Sequence, residues 1–331
     1  MSPQLKKHLI TILKIIISTT LIFILFAKLG FQDILRQFAS ANLFWLLAAM
    51  IIFSASNFLG SFQWFLLLRA RGIKLPFFKV LSIYYVGLFF NNFLVSYIGG
   101  DAVRIYDIRK LSGDSSKAIS TVVFDRFIGF VLLTSFALFG ALFWQDMLQS
   151  QTVLLSVMLI FASWLFFFLI LFNERFARKV GFLLKYFLPE KINVRLKEIY
   201  SNLNSFKDSK RTLICIFFIS LCVQFLRIFV HYLAALSVGL HGQLKYFFIF
   251  IPIIALLVSL PISIGGIGIR ESSGAVLFSK VPTFIPEMVV AMEFLAFLVG
   301  LISALPGGLL FILRKEKLQT TEIKEWEQNH E

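Results

Sequence analysis

The chain has 331 residues, 58% of them hydrophobic and only 15% charged, with 41 phenylalanines. A soluble domain is about half apolar and about a quarter charged, so this composition excludes one and specifies an integral membrane protein. The net charge of +14 lies between the apolar runs, the pattern that orients membrane chains and attracts anionic lipid, and no polar domain is present to bind nucleic acid.

At about 20 apolar residues per crossing, candidate segments fall at 9–28, 43–68, 77–98, 122–144, 152–172, 212–236, 247–281 and 288–312. Lys6 and Lys7 precede the first, and no small-residue cleavage site follows it, so it reads as a span rather than a secretion signal. The connection 29–42 has an amphipathic pattern suited to the interface. Arg69, Arg71, Lys74 and Lys79 follow the second segment, whereas "QDMLQSQ" (145–151) has no basic residue. The 173–211 stretch is strongly basic, includes an amphipathic run at 190–208, and shows no phosphate-binding loop, nucleophile elbow or metal motif. It is too short for a catalytic domain, so the chain is not expected to be an enzyme. Arg314, Lys315 and Lys317 follow the last segment. The positive-inside rule then makes the N-terminus, 69–79, 173–211 and the tail 313–331 cytoplasmic.

Parity decides the two irregular segments. If 77–98 crossed fully, the basic 173–211 loop would face outward. The count is repaired if 77–104 enters from the cytoplasm, turns at Gly99-Gly100 and leaves on the same side. By the same count 247–281 starts and finishes outside, broken by Pro261, Gly265, Gly266 and Gly268. Breaks of this kind survive at membrane depth only where protein or a water-filled cavity shields them.

The breaks resemble each other. "IGGDAVR" (98–104) and "IGGIGIR" (264–270) share I-G-G-x-x-x-R at an offset of 166, and "VVFDRFIGF" (122–130) matches "VVAMEFLAF" (289–297) at 167. Segment 43–68 moved by 167 lands on the sixth segment. The fold expected is therefore all-α and polytopic. It has about six full transmembrane helices and two re-entrant elements, arranged as an inverted repeat of 1–144 and 152–312 within one membrane domain. Secondary transporters use this architecture and bind substrate where the breaks meet.

A glycine pair opening a half-helix presents free N–H groups to an anion. Gly99, Gly100, Gly265, Gly266 and Gly268 are therefore candidate substrate contacts, with Arg104 and Arg270 placed to clasp the same anion. Asp101 and Glu271 balance those arginines or sense protons. Asp125 and Arg126 anchor the fourth segment or enter a charge pair, and Glu293 occupies the repeat position of Arg126. Arg227 lies mid-span and must face the interior, because buried charge in membranes is costly. Lys14 and Asn57 read as snorkelling or packing residues. Cys215 and Cys222, seven apart on one helix face, read as packing residues and are too far apart to bridge. The four histidines show no metal-ligand spacing, and no metal or cofactor is implied.

"NNFLVSYIGGDAVRIYDIRK", "VVFDRFIGF" and "PISIGGIGIRESSG" resemble the hallmark segments of the flippase-like family, whose relatives form the transmembrane region of lysylphosphatidylglycerol synthase. The resemblance covers nearly the whole chain. It implies movement of a phospholipid or other amphiphile between leaflets of a bacterial-type inner (plasma) membrane. It places Gly99, Gly100, Asp101 and Arg104 in one motif, and Gly265, Gly266, Gly268, Arg270 and Glu271 in the other. The aminoacyltransferase domain that follows the membrane part in the synthases is not in this sequence, so lysyl transfer is not expected. "FDRF" and "AMEF" depart from the family's usual charged elements, so roles for Asp125, Arg126 and Glu293 rest on the residues alone. The partner expected is a membrane lipid with an anionic headgroup. A homodimer, or an accessory role beside a lipid-modifying synthase or glycosyltransferase, is the alternative.

Overall fold

The computed structural model describes residues 31–93, 99–143, 151–173, 175–179, 190–260, 262–263 and 265–328, with isolated positions of the first segment. The expected first span (with Lys14), residues 94–98 and Pro261 lie outside the described residues, apart from those isolated positions. Every regular element described is helical. In chain order these are α1 (Phe31–Ala39), α2 (Leu43–Ala70), α3 (Phe77–Phe93), α4 (Gly99–Ser112), α5 (Ser115–Phe143), α6 (Gln151–Phe172), α7 (Glu190–Asn204), α8 (Lys210–Ser237), α9 (Leu244–Ser259), α10 (Ile269–Phe278) and α11 (Pro286–Gln328).

Among the described residues, α2, α5, α8 and the Pro286–Arg314 part of α11 are long and apolar enough to cross a bilayer. The 22-residue α6 matches the expected fifth span in length. By contrast α9, with 16 residues, reaches about 24 Å at 1.5 Å per residue, short of the roughly 30 Å hydrocarbon core, and α3 is described over 17 residues.

Each short helix folds back on its successor. Gly87 of α3 lies against Arg104 of α4, and the Asn91 amide oxygen, one turn later on α3, accepts the Gly100 N–H at 2.9 Å, one turn earlier on α4. The two helices therefore run antiparallel. In the second half Phe247 packs on Phe278 with ring centres 5.3 Å apart, and Val258 meets Gly266 at the other end. The sequence-based turn at Gly99-Gly100 needs correction, because these glycines already begin the returning helix. Gly100 is there for close approach: a Cβ would lie 1.8 Å from the Gly87 carbonyl oxygen. In the second hairpin the turn does contain the glycines, and Gly265, Gly266 and Gly268 all have φ between 58° and 84°, a region costly for other residues.

Helix bounds repeat at one offset. Moving α2 by 167 gives the bounds of α8, and Phe77 of α3 maps onto Leu244 of α9. Even the helix ends agree. Ile73 N–H reaches the Leu68 carbonyl and Leu240 N–H the Ala235 carbonyl, each across a left-handed glycine, Gly72 or Gly239.

Two ends of the bundle can be told apart by contacts. At one, the Asn42 N–H donates to the Ser237 carbonyl at 2.7 Å, and Phe284 packs on Tyr246. At the other, Arg71 donates to Asn202 and Ser205, Asn202 bonds Ser116, and Arg314 clasps Asp107 through two bonds of 2.5 and 2.7 Å. The 190–208 run is thus more than a surface helix. Its end delivers Phe206, 1% exposed, onto Phe124 at a ring distance of 4.5 Å. Likewise α1 inserts Ile34 beside Val290 and Phe38 against Phe294. Cys215 and Cys222 are exposed on the outer face of α8.

Gly100→Ala drives a methyl into backbone, and we expect it to cost about 3 kcal/mol or more, seen as a lower apparent Tm in detergent. Gly113→Ala, with nothing within 4 Å of its Cβ, carries only the left-handed backbone cost of about 1–2 kcal/mol. Exposed Lys110 and Ser279 lie at opposite ends. In a background with both cysteines replaced by serine, Lys110→Cys should react with an impermeant maleimide only from the cytoplasmic side, and Ser279→Cys only from the other.

Candidate functional site

The α3–α4 hairpin sets Arg104 one turn into α4, 4% exposed. Its Nη2 donates to Asp125 Oδ2 at 2.9 Å, and its Nη1 stands 3.4 Å from Asp101 Oδ1. Asp101 also takes Arg126 Nε at 2.7 Å, and Asp125 takes the Gln63 amide at 2.8 Å. The guanidinium lies between the Trp64 ring, at 4.1 Å, and the Tyr84 ring, at 4.8 Å. Two arginines and two aspartates form a neutral cluster, which is how a low-dielectric interior holds four charges. Asp125 is therefore an interior partner of Arg104, not an anchor at a helix end.

This cluster forms one wall of a cavity of about 280 Å³. The lining residues come in pairs 167 apart: Asn57 and Gln224, Gly60 and Arg227, Asn92 and Ser259, Phe130 and Phe297. The hairpin arginines Arg104 and Arg270 face it from either half. Its size is close to the lower end of small-molecule pockets, which run from about 300 Å³ upward.

The opposite wall is differently equipped. The Arg270 guanidinium sits over Phe297 at 4.9 Å with one weak contact, 3.4 Å, from Nη2 to the Gly265 carbonyl, and its buried Nη1 has no partner. Arg227 Nε and both amide atoms of Asn57, a donor nitrogen and an acceptor oxygen, are likewise buried with no hydrogen-bond partner among the described residues. Buried polar atoms are ordinarily hydrogen-bonded, so these stand out. Gln224 spends its amide on the Gly129 carbonyl at 3.1 Å rather than on Arg227. Glu271 turns inward to cap its own helix, accepting the Gly268 N–H at 2.7 Å.

The expected pairing of Arg126 with Glu293 is not made. Arg126 is held by Asp101, while Glu293, fully buried, faces His231, whose Nδ1 stands 3.2 Å from Oε2. Of the glycines singled out, Gly99 opens α4 beside Gly100, and Gly265, Gly266 and Gly268 shape the second turn. His231, Gln63, Trp64, Tyr84 and Asn57 were not assigned to the site from sequence. His231 carried a signal, since it is polar within an apolar run and Arg227 lies one turn before it on the same face of α8.

Breaking the neutral cluster should show its value. We expect Asp125→Asn or Arg104→Gln alone to lose about 3–5 kcal/mol by stranding a buried charge, with the double replacement recovering part of it. Thermal unfolding of the four proteins in one detergent measures the coupling.

The sequence model of the family described as "Lysylphosphatidylglycerol synthase TM region" matches residues 11–284. A UPF0104 membrane protein of Pyrococcus horikoshii is similar over 95% of this chain and 98% of its own length, with 26% identity over 341 aligned positions.

Proposed function

This chain belongs to the lysylphosphatidylglycerol synthase transmembrane-region family, and on that premise we propose that it translocates a phospholipid or other amphiphile with an anionic headgroup between leaflets. The observation that carries the proposal is the cavity between the two matched halves, lined by Arg227 and Arg270 with guanidinium N–H groups left unpartnered. A headgroup phosphate supplies the acceptors those donors lack. The Arg104 guanidinium acts differently from the sequence-based expectation. Neutralised by Asp101 and Asp125, it shapes the wall and leaves the clasp to the other half.

Several features support reading the fold as an inverted repeat with re-entrant hairpins. The halves share an offset of 167, each contains an antiparallel hairpin too short to cross, and α2 and α8 pair end to end in opposite senses. Alternating access then follows from rocking one half against the other about the central site. The basic end holding Arg71, Lys110 and Arg314 is the cytoplasmic one by the positive-inside rule. The apolar outer faces let the acyl chains stay in lipid while the head crosses.

Reconstitution into liposomes with headgroup-intact, chain-labelled phosphatidylglycerol tests this. The wild type should speed leaflet exchange above empty liposomes. Arg227→Gln and Arg270→Gln should each slow it about 10- to 100-fold, the worth of a charge-assisted hydrogen bond. Wild-type exchange that both variants retain would sink the site. No exchange by the wild type, with a synthase or glycosyltransferase co-purifying, would favour the accessory role.

A further inference from the structure

Glu293 lies two turns inside α11, with 0% of its side chain exposed, and neither carboxylate oxygen accepts an aligned hydrogen bond. Its ion-pair partner is His231 of α8, which is 19% exposed at its side chain and lines the cavity. On the other side Gly274 of α10 closes over the carboxylate: a Cβ there would come 2.9 Å from Glu293 Cγ. The imidazole is thus the contact between this carboxylate and the headgroup site.

The surrounding charges are few. From α10, Glu271 is within electrostatic reach of Glu293, but it is held by the Gly268 N–H and flanked by Arg270. From α8, Arg227 is one turn before His231. Helix α1 bears Asp33 and an exposed Arg36, and α11 itself bears Glu287 toward its start. Arg69 of α2 and Lys79 of α3 sit at the far end of the bundle.

A buried carboxylate beside an imidazole holds one shared proton at net neutrality, as imidazolium–carboxylate or imidazole–carboxylic acid. A second proton raises the pair to +1, and an anion in the adjoining cavity favours that state. Binding of the anion and of the proton must then strengthen each other. With Nδ1 turned to Glu293, Nε2 is left to exchange the proton with the cavity.

We propose that His231 and Glu293 form a proton-binding site that loads one proton with each anionic headgroup, making translocation a proton–lipid symport. This rests on the headgroup site proposed above. The proton comes from water on one side, rides on the pair while the head occupies the cavity, and returns to water on the other side as the head leaves; no other bond changes.

The test uses the full chain in detergent with dihexanoyl-phosphatidylglycerol as probe. Binding is followed calorimetrically in buffers of different ionisation enthalpy. The wild type should take up roughly one proton per probe bound, and its affinity should fall about tenfold per pH unit above the titration of the pair. The double replacement of His231→Gln with Glu293→Gln removes both titrating groups and should bind the probe with no proton uptake and a flat pH profile. Wild-type binding without proton uptake overturns this inference and leaves the headgroup site standing. No binding of the probe by the wild type overturns both. The wild-type pH profile carries the test even if a variant does not fold.

Discussion

A charged arginine inside a bilayer protein costs several kcal/mol unless its charge is matched and its N–H groups are occupied. The architecture of the first half is organised around meeting that cost at Arg104. Asp101 comes from the same helix, Asp125 from α5, and the aromatic faces of Trp64 and Tyr84 from α2 and α3. Four helices must therefore be in register for one side chain to be stable. The Gly87–Gly100 approach is what lets α3 and α4 come close enough to deliver it.

The second half repeats the backbone plan without repeating the chemistry. Trp64 has His231 as its counterpart 167 residues on, Gly60 has Arg227, and Arg126 has Glu293. Where one half closes its charges into a neutral cluster, the other leaves guanidinium nitrogens open and sets a histidine against a sealed carboxylate. The symmetric backbone places both sets around one cavity. That asymmetry gives a repeated backbone one wall of matched charges and one wall with open donors.

Much of the plan was legible in the chain. Hydropathy located the four long apolar helices, because bilayer thickness sets segment length. The repeat was legible because "IGGDAVR" and "IGGIGIR" recur at nearly the same offset as "VVFDRFIGF" and "VVAMEFLAF". Pairing was less legible. Asp125 read equally well as an anchor, and Glu293 was matched to Arg126 by repeat position, whereas each found a partner on a different helix. Asn57 looked like packing because nothing in its neighbourhood along the chain reveals a cavity.

The sequence by itself determined that this is a helical membrane protein whose two halves each carry a glycine pair followed by arginine. Those are one-dimensional properties, written in period, length and charge. Only the tertiary structure decided which arginine is neutralised and which keeps free donors. It also decided that His231, a lone histidine in an apolar run, stands between Glu293 and the cavity. Partner choice in a low-dielectric interior depends on distances of 3 to 4 Å between helices far apart in the chain, and no local pattern encodes them.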